Sequence, residues 1–442
     1  MLHVNIVGAG IAGLSAAISL RRAGHRVHVY EKSSMNNEVG AAIFVPPNAA
    51  RFLLAWGLDP VRWQWVHSRR MQFSDPFTLE TLPAISDEDT ATSIGGVPLW
   101  FSHRVDLHNA LKWLATKPDG PGVPATLHLG SPVEAYNPSK PSITLKGGRE
   151  VECDVVIGAD GIHSLATEAV LGRKNEPVSP ANANVCYRFL IPTERLERDA
   201  ETRFFTKDIA GWSRVFAHNE MKRRLIVYPC RGNTILNFVG MLWEAESPYS
   251  ERENWHATVD VAQVLDKFAG YDPRLLNVIS KATDVKRWPL LYRHPLPTWN
   301  KDLLTLAGDA AHPMLPHQGQ GGAQGLEDGL ALGIILCGAE TPQDIRERLD
   351  IYYSTRHRRT SAIQILSNVG ADQTSLVSDE LRQFMSEDEI PTDFLSIARY
   401  SFGFDVVRTT MDAMKKYDPA FRLPDDFFDS PVIGVPGRGA SH

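Results

Sequence analysis

The 442-residue sequence predicts an α/β fold: a Rossmann-like dinucleotide-binding domain, interrupted by an inserted antiparallel sheet and followed by a C-terminal helical region. Three observations carry that prediction. The chain opens with strand, glycine loop, helix, strand and acid in that order. Two later apolar runs each end in a turn made of aspartate and glycine. Between those two turns the pattern changes to short strands separated by turn residues.

The opening unit begins with Leu2–Val7, an apolar run that closes on Gly8-Ala9-Gly10-Ile11-Ala12-Gly13. Leu14–Leu20 follows with helical apolar spacing, and a second strand, Arg26–Tyr30, ends on Glu31. Gly8 permits the tight turn, Gly10 lets the backbone approach a pyrophosphate, and Gly13 lets the helix lie close to the sheet. The start of the helix offers unpaired N–H groups and the positive end of its dipole to the anion. Glu31 stands where a carboxylate accepts from both ribose hydroxyls, which disfavours NADP as the tightly held ligand. Glycine-rich turns are common, but strand, helix and acid together make this one specific for an adenine dinucleotide.

Composition narrows the function class. With 46 Lys and Arg against 52 Asp and Glu, the formal charge is −6, which argues against nucleic acid as a partner. The basic cluster at Arg346, Arg348 and Arg356–Arg359 is expected to be a solvated helix face. Cys153, Cys186, Cys230 and Cys337 show no CxxC spacing, so neither a zinc site nor a disulfide framework is expected, and no other metal constellation is visible. The N-terminus enters a strand directly, without a signal-peptide pattern. The longest apolar helical run, Leu330–Cys337, is too short to span a bilayer. These features point to a cytoplasmic protein with no membrane partner, either a monomer or a homodimer.

A simple NAD dehydrogenase would continue with further βαβ units. This chain continues instead with Gly40–Asn48 and a helix through Arg51, Leu53 and Trp56. Later, Asp154–Ser164 reads as a buried strand ending in the turn Asp160-Gly161. Leu303–Pro313 reads as another, ending in Gly308-Asp309, and leads through Pro316-His317-Gln318-Gly319-Gln320-Gly321-Gly322 into a long helix. With these motifs in this order, residues 1–370 resemble the class A flavoprotein aromatic hydroxylases, whose relatives include salicylate and para-hydroxybenzoate hydroxylases. Arg104-Val105-Asp106-Leu107-His108 is similar to the family segment that lies over the cofactor, and Ala42–Trp56 looks most like the salicylate-hydroxylase type.

The resemblance implies FAD as the tightly held cofactor and NADH or NADPH as a transient co-substrate. Asp309 is then expected to accept from a ribityl hydroxyl. Gly319, Gly321 and Gly322 would leave amides bare at a helix start, where the dipole favours negative charge on a reduced flavin. Arg51 and Arg104 are the basic side chains expected to touch the cofactor. Asp160 is expected to support the dinucleotide cleft and access of NAD(P)H. In one place the sequence departs from the family: the arginine usually found three residues after the serine is missing, since Ser164 is followed by Leu165, Ala166 and Thr167. That leaves open how the Asp160 turn is braced.

In the insert, Asn184–Ile191, Arg203–Phe205, Ser213–His218, Arg224–Tyr228 and Ile235–Met241 read as strands. Thr258–Phe268 and Pro273–Lys281 read as helices, and Asp284–Tyr292 as a strand returning to the first domain. The expected division is a discontinuous FAD-binding domain at 1–75, 100–180 and 285–370, and a substrate-binding domain at 76–99 and 181–284. Residues 371–442 would form a C-terminal helical region with a mobile tail and no catalytic role. Cys186–Pro192 occupies the family's aromatic-Arg-Gly position, with Phe189 in place of glycine, and Ile226–Pro229 matches a segment ending in Tyr-Pro. By resemblance to fungal members that hydroxylate or dearomatise phenols, Arg188 and Tyr228 are expected to hold a phenolate, and Phe189 to reshape the pocket. His312 and His317, and less so His218, are candidates for relaying a proton.

The expected activity is that of an FAD-dependent monooxygenase. It would hydroxylate a small phenolic or aromatic-acid substrate with NAD(P)H and O2 through a C4a-hydroperoxyflavin, decarboxylation and dearomatisation being left open. The competing readings are a flavin oxidase or reductase that inserts no oxygen, and a flavin-binding sensor without turnover.

Overall fold

A computed structural model describes residues 1–35, 40–180, 183–218, 220–244 and 257–436. The opening unit folds as β1 (His3–Val7), α1 (Ile11–Arg22) and β2 (Arg26–Tyr30). After β3 (Ala42–Val45) and α2 (Pro47–Ala55), the chain crosses to a second sheet with β4 (Arg70–Ser74) and β5 (Thr81–Ser86). It returns through the helix Arg104–Thr116, β6 (Thr126–His128) and β7 (Val155–Gly158). The second sheet is completed by β8 (Val185–Pro192), β9 (Trp212–His218), β10 (Arg223–Cys230), β11 (Ile235–Leu242) and β12 (Val285–Pro289). Then come β13 (Leu304–Leu306), α3 (Gly321–Leu336), α4 (Pro342–Leu366) and α5 (Phe394–Phe402).

The first sheet has six strands in the order Asn300–Lys301, β13, β7, β1, β2, β6, and only the Asn300–Lys301 edge runs antiparallel. Every residue of β7 and β13 is buried, as parallel strands covered on both faces require. Gly325, Gly329 and Gly333 lie four apart on α3 and admit α1 at backbone distance. A Cβ on Gly329 would stand 2.4 Å from the Ala16 nitrogen. Ser15 and Ser19 donate across this contact to the carbonyls of Leu326 and Leu330 at 2.8 and 3.0 Å. The N-terminal end of α3 is thereby fixed beside the glycine loop of residues 8–13.

The second sheet has eight strands in the order Thr258–Val259, β12, β8, β11, β10, β9, β4, β5. Its pairs are antiparallel, as expected of the insert, except β9 with β4, a strand that precedes the insert in sequence. It also reaches past the expected limits at 76 and 284, since β4 and β12 both belong to it. Arg203–Thr206 forms a 3-10 turn instead of a strand. Its one buried ring, Phe205, packs on Phe216 and Phe238, and so short a run carries no distinguishing period. Thr258–Val259 is an edge strand, and the helix after it starts at Val261, capped by Asp260.

Side chains alternate across this sheet. On one face Phe189, Val227 and Phe238 join a core closed by Val264, Phe268 and Leu275. On the other, Arg188, Val239, Ile226, Val215 and Phe73 stand opposite one another in a single row across five strands.

The C-terminal region differs from expectation at its basic cluster. Arg356 and Arg359 on α4 are buried, ion-paired to Glu327 and Asp328 of α3, where a solvated face was expected. The chain beyond α5 is docked: Phe421, Phe427 and Val435 are buried, and Asp429 pairs with the buried Arg22 at 2.8 Å. Residues 437–442 of the expected mobile tail lie outside the described residues. Among the described residues, no helix is long and apolar enough to cross a membrane.

Candidate active site

The cofactor half of the site is written largely in glycine. Gly8 has φ +101°, and a Cβ there would stand 2.1 Å from the Ala159 carbonyl oxygen. A Cβ on Gly13 would stand 2.0 Å from the Gly8 oxygen. Around Gly10 there is open space: a Cβ would meet nothing within 4 Å, and the residue lines the main cavity. Two glycines therefore close the turn on itself, and the third leaves the backbone bare where an anion would approach. Glu31 is anchored at the end of β2, its two oxygens accepting from the amides of Ala9 at 2.9 Å and Ser33 at 2.8 Å.

The other two turns meet this loop. Asp160 accepts from the Tyr136 hydroxyl at 2.8 Å and from the Leu165 amide at 3.0 Å, at the start of the helix Leu165–Leu171. That tyrosine and helix terminus brace the turn that lacks the family's arginine. Burial and the Asp160 charge push the Tyr136 phenol pKa well up, so it remains a donor. Gly308 donates to Asp328 at 2.9 Å. Its φ of +62° and the closeness of Ala12 both require glycine. Asp309 opens to the cavity, and the surrounding protein pushes its carboxyl above the usual range against the pull of His312, Arg104 and Arg293.

A cavity of about 1020 Å3 runs from Gly10 past Asp309, Arg104 and Gly319–Gly322 to the polar and apolar row on the second sheet. Gly319 has φ +61° with the Phe44 ring against it, and a Cβ on Gly322 would stand 2.7 Å from Ile43 Cδ1. This is a cradle that side chains would fill, at the start of a 16-residue helix with no acid in its first turn. The open amides at Gly10, the Glu31 carboxylate and this helix start fit the pyrophosphate, ribose and ring of FAD in that order.

At the far wall, Arg188 Nη2 and the Tyr228 hydroxyl both donate to the carbonyl oxygen of Ala42, at 2.9 and 3.0 Å. The Arg188 guanidinium lies 4.7 Å from the centre of the Trp288 ring. Phe44 and Phe101 enclose the Tyr228 ring at 4.8 and 5.1 Å. Burial pushes the Tyr228 phenol pKa up and Arg188 opposes it only in part, so the hydroxyl keeps its proton.

Comparison with known proteins agrees with this geometry. A family profile described as an FAD binding domain matches residues 140–366, and one described as an NAD(P)-binding Rossmann-like domain matches residues 6–52. The FAD-dependent monooxygenase cfoG of Aspergillus candidus is 51% identical, covering 96% of this chain and 98% of its own. The chain belongs to the FAD-dependent monooxygenases of the class A aromatic hydroxylase family. Another member, 3-hydroxybenzoate 6-hydroxylase 1 of Aquipseudomonas alcaligenes, is 30% identical over 92% of this chain and 99% of its own. A salicylate hydroxylase substrate complex shares the fold, with a TM-score of 0.71 at 21% identity, over 93% of this chain and 98% of the other.

Within this monooxygenase, several expected site residues stand elsewhere. The Arg51 guanidinium is buried among the carbonyls of Gly95, Phe402 and Phe404 and does not line the cavity, so it ties α2 to the C-terminal segment instead of meeting the cofactor. Phe189 stacks on Phe238 at 4.9 Å on the opposite face of the sheet from Arg188 and does not reshape the pocket. His312 is 1% exposed and bonded to Asp328, within the buried network of Arg356 and Glu327. His218 receives the Met221 amide at 3.2 Å in the turn after β9, and it does not line the cavity. His317 does line it. Its two ring nitrogens are buried without a hydrogen-bond partner among the described residues, and burial with nearby Arg224 pushes its pKa down to about 4.

Sequence reasoning named no residue on two of the walls. Phe394, Ile397, Ala398, Ser401 and Phe402 of α5 line the cavity, as do Asp87 and Thr90 at the start of the helix Glu88–Gly95. The i, i+3, i+4, i+8 spacing of the apolar residues on α5 marks an amphipathic face. Nothing in that spacing says which surface the face covers.

Proposed function

We propose that this enzyme hydroxylates a phenolic or aromatic-acid substrate with NAD(P)H and O2, holding the reacting ring as a phenolate between Arg188 and Tyr228. The observation that carries the reading is the convergence of a guanidinium N–H and a phenol O–H on one point of the cavity wall. A fixed cation and a neutral donor lower the pKa of a phenol bound there. The phenolate is electron-rich ortho and para to its oxygen, and anchoring that oxygen decides which ring carbon faces the cofactor.

FAD, held by the Gly10 loop, Asp309 and the start of α3, would supply the redox chemistry that activates O2 at the expense of NAD(P)H. The protein's own residues do the rest. Val239, Ile226 and Val215 present an apolar floor that excludes water from the ring. Asp309 and Arg104 border the cofactor end, and the Tyr136–Asp160 turn supports a nicotinamide that binds transiently, since the sequence carries no second GxGxxG. The test is a yellow, FAD-loaded preparation supplied with NAD(P)H, phenols and 18O2. Label in the organic product supports the reading. Phenol-stimulated NAD(P)H oxidation without label would mean an oxidase or reductase instead.

A further inference from the structure

The same cavity has a second polar end. Arg224 lies on β10 two residues before Ile226, and Tyr228 lies two residues after it. All three share one face of the strand and line the cavity. At the usual rise per residue, the Arg224 and Tyr228 Cα atoms are about 13 Å apart. Arg224 is seated with care. Its Nη2 donates to Asp372 at 2.7 Å, and the side chain is 15% exposed. A Cβ on Gly370 would stand 2.3 Å from its Nη1, so a larger residue there would push the guanidinium from this position. His317, with two unpartnered nitrogens, lines the cavity as well.

We propose that Arg224, positioned by Asp372 and Gly370, is a specificity-determining residue that binds a neutral oxygen acceptor on the substrate, at the end remote from the phenolate held by Arg188 and Tyr228. The inference rests on the phenol reading above and narrows it. The substrate is an elongated phenol: a hydroxylated ring at the Arg188 end, an apolar middle over Ile226, and a carbonyl or similar oxygen at Arg224. A carboxylate is disfavoured there because Asp372 already balances the guanidinium charge. A single-ring benzoate is too short to occupy both ends.

The test uses three ligands of matched phenol acidity on the FAD-loaded enzyme: phenol, 4-butylphenol and 4-(4-hydroxyphenyl)butan-2-one. Dissociation constants are read from the perturbation of the flavin's visible absorbance. The ketone should bind the wild type about threefold to tenfold more tightly than 4-butylphenol, the value of one net hydrogen bond. Arg224→Met should abolish that preference and leave phenol binding unchanged, whereas Arg188→Met should weaken all three ligands. Gly370→Ala, which crowds Arg224 from outside the site, should reduce the preference in the same direction. Equal binding of ketone and butylphenol to the wild type overturns the inference without any variant, as does an Arg224→Met effect equal for all three. If none of the three binds, the phenol reading itself fails. If phenol binds but the ketone gains nothing, only the second end fails.

Discussion

Arg188 and Tyr228 share one acceptor, the carbonyl oxygen of Ala42, at 2.9 and 3.0 Å. A phenolate that displaces that carbonyl as acceptor would draw on both donors at once. Arg188→Ala is therefore expected to weaken phenol binding by about 1.5–3 kcal/mol, the value of a hydrogen bond to a charged group, with FAD content unchanged. Tyr228→Phe should cost less, about 1 kcal/mol. Ultraviolet titration of a bound phenol should place its ionisation below the free value in the wild type and nearer to it in Arg188→Ala. Equal loss of flavin and phenol in Arg188→Ala would refute the assignment.

The glycine loop separates folding from cofactor binding. Gly13→Ala forces a Cβ to within 2.0 Å of the Gly8 carbonyl, so it should lower the yield of folded protein and cost more than about 3 kcal/mol. Gly10→Ala meets nothing within 4 Å in the protein itself. It should fold with a near-normal apoprotein Tm yet retain little FAD after gel filtration. Should Gly10→Ala keep its flavin, the pyrophosphate does not lie where the loop points.

Acid sensitivity follows from two histidines. His25 accepts from the Leu2 amide at Nδ1 and faces the Leu336 carbonyl through Nε2, an arrangement that requires the neutral ring. Burial pushes the pKa of both His25 and His317 down to about 4 from 6.5. Between those values the unfolded chain binds protons that the native state refuses. The contribution of these two rings should therefore be constant well above pH 6.5 and fall as pH drops toward 4, by up to about 1.4 kcal/mol per pH unit for each ring. Urea midpoints of the holoenzyme at pH 7, 6 and 5 measure the slope, and His317→Leu should flatten it by up to one proton's share.

Arg51 gives a stability effect where a cofactor effect was expected. Arg51→Met strips a donor from the carbonyls of Gly95, Phe402 and Phe404 and should destabilise by about 2–5 kcal/mol. Limited proteolysis should cut the segment after α4 faster in the variant. Unchanged cleavage with selective loss of FAD would restore the original expectation.

Much of the cofactor half was legible because it depends on backbone. Gly8, Gly13, Gly308 and Gly319 sit where a Cβ is excluded, and residue type alone reports that constraint. Arg188 and Tyr228 were legible through a family resemblance, and alternation along β8 and β10 turns both to the cavity. The same alternation explains why Phe189 misled, since a neighbour in sequence is opposite in space. Arg51, Arg356 and Arg359 misled because a buried guanidinium and a solvated one look alike in a sequence. Partners such as Phe402 and Glu327 arrive from distant stretches of chain. The role of α5 was hidden for that reason too.

The position of α5 also has an evolutionary reading. Its five cavity-lining residues belong to none of the three turns that cradle the dinucleotide, and Arg51 and Arg359 bind its end through backbone carbonyls. Those bonds do not depend on which side chains α5 carries. The wall can therefore drift in sequence while its docking persists. Exchanging residues 371–402 between relatives should transplant preference for ligand size and leave the redox scaffold intact, so that diversification within the lineage needs no compensating change around the flavin.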